Sequence, residues 1–212
     1  MMRANHDLLI VEPENEKVIR RELLGNNELY LPRKCPCPIW VLKPDNKCNF
    51  DRILVAIDPS SSNQQAKDLN SKHLELSTSL AKKESAEHHV IHCWEAYGES
   101  MMRSPGYAGS KEDVDNCVRE TEKIARDQLR GCVRSFVIDT ENKNVHLINE
   151  DPKLVIADFI KKNNIDLIVM GTLARSGIKG LLIENTAEKL VSGIKCSLLA
   201  VKPDGFISPV TI

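Results

Sequence analysis

Strand-like and helix-like segments alternate along most of this chain of 212 residues, and this alternation constrains the fold more than any other feature. Continuous apolar runs are typical of strands buried on both faces, and apolar residues three or four positions apart mark amphipathic helices. The predicted strands are 50–58, 90–94, 145–148, 165–170 and 197–201, and the predicted helices are about 64–84, about 111–135, one from Pro152, and 185–194. Parallel strands need crossover connections, so residues 50–203 predict an α/β domain with helices on both faces of a parallel sheet.

The segment that follows the fourth predicted strand is a candidate ligand loop. In doubly wound sheets, ligands bind at the carboxyl ends of strands where the strand order reverses. Residues 171–184 contain three glycines, Arg175, Ser176 and a lysine, and they precede a predicted helix N-terminus, a place that favours anions. The spacing is neither that of a P-loop nor that of a dinucleotide-binding loop. The alternative is a flexible loop before a helix that Asn185 and Glu188 cap as a pair.

An internal repeat accounts for the first residues of the chain. Shifted by 159 positions without a gap, residues 7–45 match residues 166–204 with ten identities in 39 positions. A match of this length favours duplication. It divides the chain into a partial copy at 1–49, equivalent to the last strand–helix–strand part of a domain, and a complete domain at 50–212. A unit of about 40 residues cannot bury enough apolar surface alone. We therefore expect it to pack on the complete domain or on another chain.

Four segments together resemble the universal stress protein family. They are ILVAID at 53–58, DLIVMGT at 166–172, NTAE at 185–188 and CSLLAVKP at 196–203. The segment CPCPIW at 35–40 and the tail after Pro203 resemble the tandem, E-type members, which carry two such domains. The resemblance implies a five-stranded parallel sheet of order 3-2-1-4-5, Rossmann-like and similar to the adenine nucleotide alpha hydrolases. It also implies a cytoplasmic, stress-induced protein that forms a homodimer or an internal pseudo-dimer through its last strands. A pseudo-dimer of this kind would pair or pack strand 37–42 near strand 197–201.

One branch of that family binds ATP, and this sequence matches the ATP-binding motif of that branch only in part. Asp58, Gly171 and Asn185 fit, whereas Ala174 and Glu184 replace two glycines. A carboxylate at position 184 would repel a phosphate by ~4 kcal/mol at 4 Å and an effective dielectric of 20. The resulting candidate nucleotide contacts are Asp58, Gly171, Ala174, Arg175, Ser176, Asn185 and Thr186.

Composition and spacing argue against several other classes of protein. The 29 basic and 30 acidic residues give a formal charge of −1, which argues against a nucleic-acid groove. No apolar run approaches the roughly 20 residues of a membrane span, and no signal-peptide pattern is evident. Seven cysteines favour reduced thiols over a disulfide framework. His88 and His92 share a strand face without a third metal ligand, so solvent-facing histidines are the expectation.

Two main hypotheses about function follow from these observations. No nucleophile–base arrangement and no G-x-S-x-G motif is present, so a dedicated enzyme is not expected. The first hypothesis is a non-enzymatic, cytoplasmic stress-response protein that acts through dimerisation and partner binding. The alternative is an ATP-binding regulator or slow ATPase that uses the crevice between Asp58 and Gly171. A third idea is that a different small ligand occupies that crevice.

Overall fold

The computed structural model describes residues 6–12, 35–43, 49–107, 109–171 and 196–207. The predicted loop at 172–184, the predicted helix at 185–194 and most of the partial copy lie outside these residues. Within the described part, the strands are β1 (Leu9–Val11), β2 (Ile39–Val41), β3 (Arg52–Ala56), β4 (Glu87–Trp94), β5 (Val145–Asn149), β6 (Leu167–Gly171) and β7 (Ser197–Val201). The helices are α1 (Gln64–Glu84), α2 (Glu99–Met102), α3 (Lys111–Val133) and α4 (Pro152–Asn163), with a 3₁₀ turn at Arg134–Phe136.

All of these strands form one sheet, in the order β1-β2-β7-β6-β3-β4-β5. The five strands from β3 to β7 run parallel to their neighbours in this set. Numbered along the chain, these five stand in the order 3-2-1-4-5, so the predicted α/β fold and its strand order are confirmed. The strand order reverses between β3 and β6. The sheet continues past β7 with β2 and β1, which makes it wider than the five-stranded sheet of the complete domain.

The strands are buried because helices cover both faces of the sheet. Ile53 and Val55 contact one apolar cluster, which also holds Leu74 of α1 and Leu129 of α3. Leu54, which lies between them, contacts a second cluster with residues of α4. Alternate side chains of a strand point to opposite faces, so the apolar run of β3 supplies both cores. This explains why its sequence is continuously apolar rather than alternating.

The helix boundaries follow from capping side chains. Asn63 precedes α1, and its side-chain oxygen accepts the backbone N–H of Gln65 at 2.9 Å. Before α3, Ser110 and Asp113 form a reciprocal capping box. Pro152 begins α4 as predicted, directly after the cap Asp151. No helix in the described ranges is long and apolar enough to cross a membrane.

One expectation for the connections is wrong. The segment 98–110 holds three glycines and shows no periodicity of apolar residues, so its sequence predicts a long loop, but the short helix α2 lies within it. Arg103 binds Glu99 one turn away at 2.8 Å and Asp115 of α3 at 2.9 Å. These ion pairs fix the end of α2 against α3, which overrides the local glycine content.

The two copies of the repeat have the same strand register. β1 pairs parallel with β2, with Leu9 opposite Ile39, and β6 pairs with β7, with Ile168 opposite Leu198, as the shift of 159 requires. β2 then pairs antiparallel with β7, with Trp40 opposite Leu199. The expected pairing of strand 37–42 with strand 197–201 is confirmed. Ile39 and Val41 are almost fully buried in the same cluster as Leu54, so this strand pair completes one of the two cores.

Candidate functional site

Asp58 and Gly171 flank the point where the strand order reverses. Gly171 ends β6, and Asp58 follows the neighbouring strand β3 by two residues. The two residues therefore lie at the carboxyl edge of the sheet, where open α/β sheets bind ligands. The other predicted nucleotide contacts lie outside the described residues: Ala174, Arg175, Ser176, Asn185 and Thr186, together with Glu184.

Asp58 is held from both its backbone and its side chain. Its backbone N–H donates to Asn70 Oδ1 at 3.1 Å, and Asn70 Nδ2 donates to the Asp58 carbonyl at 2.7 Å. Its Oδ1 accepts the N–H of Ser60 at 3.2 Å and the hydroxyl of Ser60 at 2.7 Å. This is an Asx-type turn, which orients the carboxylate at the end of β3. The position suits a carboxylate that orients a hydroxyl or a hydrated cation at the mouth of the crevice.

Gly171 lies where helix α1 approaches the sheet closely. A Cβ at this position would lie 3.2 Å from His73 Cε1 and 3.3 Å from Leu69 Cδ2. Both distances are slightly shorter than ordinary van der Waals contact, so the side chains of His73 and Leu69 would have to move by a few tenths of an ångström to admit a Cβ. Packing against α1 therefore favours glycine here, whether or not a ligand approaches.

His73 is buried beneath Gly171 as an uncharged side chain. It is 3% exposed, and neither ring nitrogen has a hydrogen-bond partner within the described part of the chain. Burial, with a smaller effect of the neighbouring Lys72, lowers the pKa of His73 to about 4. At neutral pH the ring is therefore neutral, with one N–H and one acceptor nitrogen.

Asn70 and His73 belong to the crevice, although the sequence analysis did not select them as site residues. Both are buried on α1, three positions apart, on the side that faces the ends of β3 and β6. Their signal in the sequence is a polar side chain on or beside the apolar stripe of a helix. Such residues are costly to bury, so they mark places where a helix faces polar groups.

The expectation that the histidines of β4 face solvent is wrong. His89 is 6% exposed and His92 is 1% exposed, because β4 lies between β3 and β5 rather than at an edge. His88 is held by Ser77 of α1, with Nε2 and Oγ 3.0 Å apart. Across the described ranges, no group of three or more ligating side chains is placed to hold a metal ion.

Cys196 matches Cys37 in the repeat, which predicts a buried residue at the start of the last strand, and the structure confirms this. It precedes β7 directly and is 2% exposed. Its counterpart in the repeat, Cys37, is also buried, with its Sγ 3.4 Å from that of Cys35. Burial raises the pKa of the Cys196 thiol to about 12, so this group is an inert part of the core.

Comparison with known proteins identifies relatives of this chain. Residues 49–202 match the model of the universal stress protein family. Universal stress protein E of Photorhabdus laumondii is 28% identical over 99% of the chain and 66% of its own length, and that of Escherichia coli K12 is 27% identical over 100% and 66%. The chain thus spans about two thirds of the length of these relatives.

Solved structures show the same fold. A functionally unknown protein from Pseudomonas aeruginosa PAO1 superposes with a TM-score of 0.68 at 22% identity, covering 93% of this chain and 63% of the other. A universal stress protein from Archaeoglobus fulgidus superposes with a TM-score of 0.55 at 17% identity, covering 94% and 62%. At these identities the likeness concerns the fold alone.

Proposed function

The chain belongs to the universal stress protein family, and from that premise we propose that it is a non-enzymatic, cytoplasmic stress-response protein that acts by binding other polypeptides through its sheet edge. The observation that carries this proposal is the antiparallel pairing of β2 with β7. Here β7, the last strand of the parallel set, pairs through its backbone with β2 from the repeated segment. Strand addition of this type is a general mode of recognition between proteins.

The partner surface in this proposal is the open edge of β1. Within the described residues β1 is the outermost strand of the sheet. Leu9 N–H donates to the Pro38 carbonyl, and Val11 C=O accepts from Leu42 N–H, so both point toward β2. The backbone groups of Ile10, between them, therefore point to the open edge. The side chain of Ile10 is 56% exposed.

The repeat indicates which kind of partner fits this edge. The counterpart of β1 in the complete domain is β6, and β6 pairs parallel with β3 on the equivalent side. A parallel strand from a second α/β unit is therefore complementary to this edge, whereas two copies of this chain would pair β1 with β1 antiparallel about a two-fold axis, as β2 pairs with β7.

Measurement of the molar mass as a function of concentration tests the proposal. We expect sedimentation equilibrium to show a dimer that Ile10→Pro weakens, because proline removes the outward N–H. Ile10→Thr keeps that N–H and a β-branched side chain, so it should retain the dimer. A wild-type chain that stays monomeric at all concentrations, or equal effects of both substitutions, would contradict edge pairing.

A second candidate function is an ATP-binding regulator or slow ATPase. The observation that favours it is the position of Asp58 and Gly171 on either side of the strand-order reversal. Binding of Mg-ATP to the folded state must raise the melting temperature. We expect Asp58→Asn to reduce that shift and the exposed control Asp127→Asn to leave it unchanged.

Glycine substitutions test the ATP-binding motif itself. If the carboxylate at 184 opposes a phosphate, the pair Ala174→Gly and Glu184→Gly should enlarge the thermal shift with Mg-ATP. Absence of any shift at millimolar Mg-ATP in both wild type and this variant rules the second candidate out.

A further inference from the structure

A polar cleft lies at the amino-terminal edge of the sheet, on the opposite side from the crevice between Asp58 and Gly171. It has a volume of about 370 Å³ and is lined where β3, β4 and β5 begin and where α4 ends. None of the sequence-predicted site residues belongs to it. The cleft is therefore independent of the proposed nucleotide crevice and of the edge of β1.

Cationic groups outnumber anionic groups in this cleft. Arg52, Lys143 and Lys162 line it together with a single carboxylate, that of Glu87. Arg52 Nε lies 3.2 Å from Glu87 Oε2, and Lys143 Nζ lies 3.7 Å from Glu87 Oε1. Hydrogen bonds from Asn144 and then Arg52 lower the pKa of the Glu87 carboxyl, so it is ionised at neutral pH. The lining then carries a net charge of about +2, which favours an anion.

A buried histidine nitrogen also lines the cleft. His89 is 6% exposed, and its Nε2 has no hydrogen-bond partner in the described part of the chain. That nitrogen lies 3.7 Å from Glu87 Oε2, beyond hydrogen-bond distance. A buried polar nitrogen without a partner costs free energy, and a ligand that supplies an acceptor would recover it.

The second histidine determines which proton His89 presents. His89 Nδ1 and His146 Nε2 lie 3.1 Å apart, and the rings stack with their centroids 5.4 Å apart. One of these two nitrogens carries a proton and donates it in a hydrogen bond to the other. The nearby Glu87 carboxylate favours the tautomer in which His146 Nε2 donates to His89 Nδ1 and His89 carries its own proton on Nε2. His89 then offers an N–H donor to the cleft.

We propose that this cleft binds a tetrahedral phosphate group, either free inorganic phosphate or the phosphate of a small monoester. Lys162, Lys143 and Arg52 supply the positive charge, and His89 Nε2 supplies a directed N–H. Inorganic phosphate carries at least one proton at neutral pH, and the Glu87 carboxylate accepts a hydrogen bond from it. Sulfate has no proton to give, so the carboxylate repels it. The cleft should therefore discriminate between two anions of nearly equal size and shape.

Calorimetric titration of the full chain at pH 7 with inorganic phosphate and with sulfate tests this proposal. We expect phosphate to bind at least about tenfold more tightly than sulfate, because sulfate has no proton to donate to the Glu87 carboxylate. Glu87→Gln should remove most of that preference, since an amide can donate to either anion. Equal binding of phosphate and sulfate to the wild type would overturn the proposal. So would the absence of any heat of binding at phosphate concentrations up to about 10 mM, since even weak specific sites bind in that range.

Lys162 offers a variant with a close control. Lys162→Gln removes a charge-assisted contact and should weaken phosphate binding about tenfold or more. Lys161→Gln removes the same charge from the neighbouring exposed position, which does not line the cleft, and should change affinity less than about twofold. Equal effects of the two substitutions would show that phosphate is attracted only by the general positive charge of this surface. That result would overturn the proposed site.

Two further measurements extend the test. His89→Phe keeps a ring for stacking and removes Nε2, so it should weaken phosphate binding in a chain whose melting temperature confirms folding. Titration with phenyl phosphate distinguishes the two sources of the ligand. Tighter binding of the monoester, lost in Lys162→Gln, assigns the site to a phosphate ester, and binding of inorganic phosphate alone assigns it to the free ion.

Discussion

Trp40 lies directly opposite Leu199 where β2 and β7 pair antiparallel, and Leu199 is also the residue to which Trp40 corresponds in the internal repeat. The register extends symmetrically from this pair, with Ile39 opposite Ala200 and Val41 opposite Leu198. The strand pairs β1–β2 and β6–β7 are therefore related by a local two-fold axis through the Trp40–Leu199 pair. This is the arrangement of an isologous dimer interface, built here within one chain.

Substitution of Ile39 tests whether the partial copy is part of the main core. Ile39 is fully buried with Leu54 and Ile168, so Ile39→Ala should lower the free energy of unfolding by about 2–5 kcal/mol. Ile10→Ala, on the adjacent strand but 56% exposed, should change it by about 0.5 kcal/mol or less. Urea unfolding followed by circular dichroism measures both, and equal small changes would show that the partial copy folds apart from the rest.

The two copies differ in the role of an aspartate that they share. Asp166 Oδ2 accepts the backbone N–H groups of Asp51 at 2.9 Å and Arg52 at 2.8 Å, which fixes the beginning of β3. Asp166→Ala should therefore cost about 1–3 kcal/mol of stability. Asp7→Ala, the same change at the exposed repeat counterpart, should be nearly neutral. The melting temperatures of the two variants decide the matter; a larger loss for Asp7→Ala would contradict this assignment.

Substitution by alanine at two glycines should change the free energy of unfolding in opposite directions. Gly171→Ala brings a Cβ against His73 and Leu69, so it should destabilise the protein by about 1 kcal/mol. Gly131 lies on the exposed side of α3 with no atom within 4 Å of an added Cβ. Gly131→Ala should stabilise the protein by about 0.5–1 kcal/mol, because alanine favours the helix. Chemical denaturation of both variants measures the two changes in the free energy of unfolding.

Acidification should destabilise the protein through His73. Its pKa is about 4 in the folded state and about 6.5 when unfolded, so the unfolded chain takes up a proton first as the pH falls. The stability contributed by the neutral ring is complete above about pH 6.5 and is lost toward pH 4. At pH 5 the loss is roughly 2 kcal/mol.

Unfolding of His73→Leu at pH 7 and pH 5 isolates this effect. The variant should lose about 2 kcal/mol less than the wild type over that interval. An unchanged pH dependence in His73→Leu would mean that His73 does not titrate as its burial requires.

Local sequence patterns predict most of the strands well, because strands buried on both faces are rich in apolar residues, whereas the order of the strands comes from the family resemblance. The apolar run 53–57 and the proline at 152 specify their elements without help from the rest of the chain. The repeat predicts the β2–β7 pairing because it carries long-range information. By contrast, the burial of His89 depends on β5 lying beyond β4, and the role of Asn70 depends on α1 lying against the end of β3. Such packing relationships between distant segments leave no periodic signal.

The antiparallel pair β2–β7 joins two segments of one polypeptide, which removes its dependence on protein concentration. A dimer of separate chains with the same interface would dissociate on dilution, whereas a tethered interface is held at a fixed effective concentration. The two sides of this interface also differ in sequence, because tryptophan lies opposite leucine rather than opposite a second tryptophan. Each half can therefore change its sequence independently, so the tethered pair is free to lose symmetry that a dimer of identical chains has to keep.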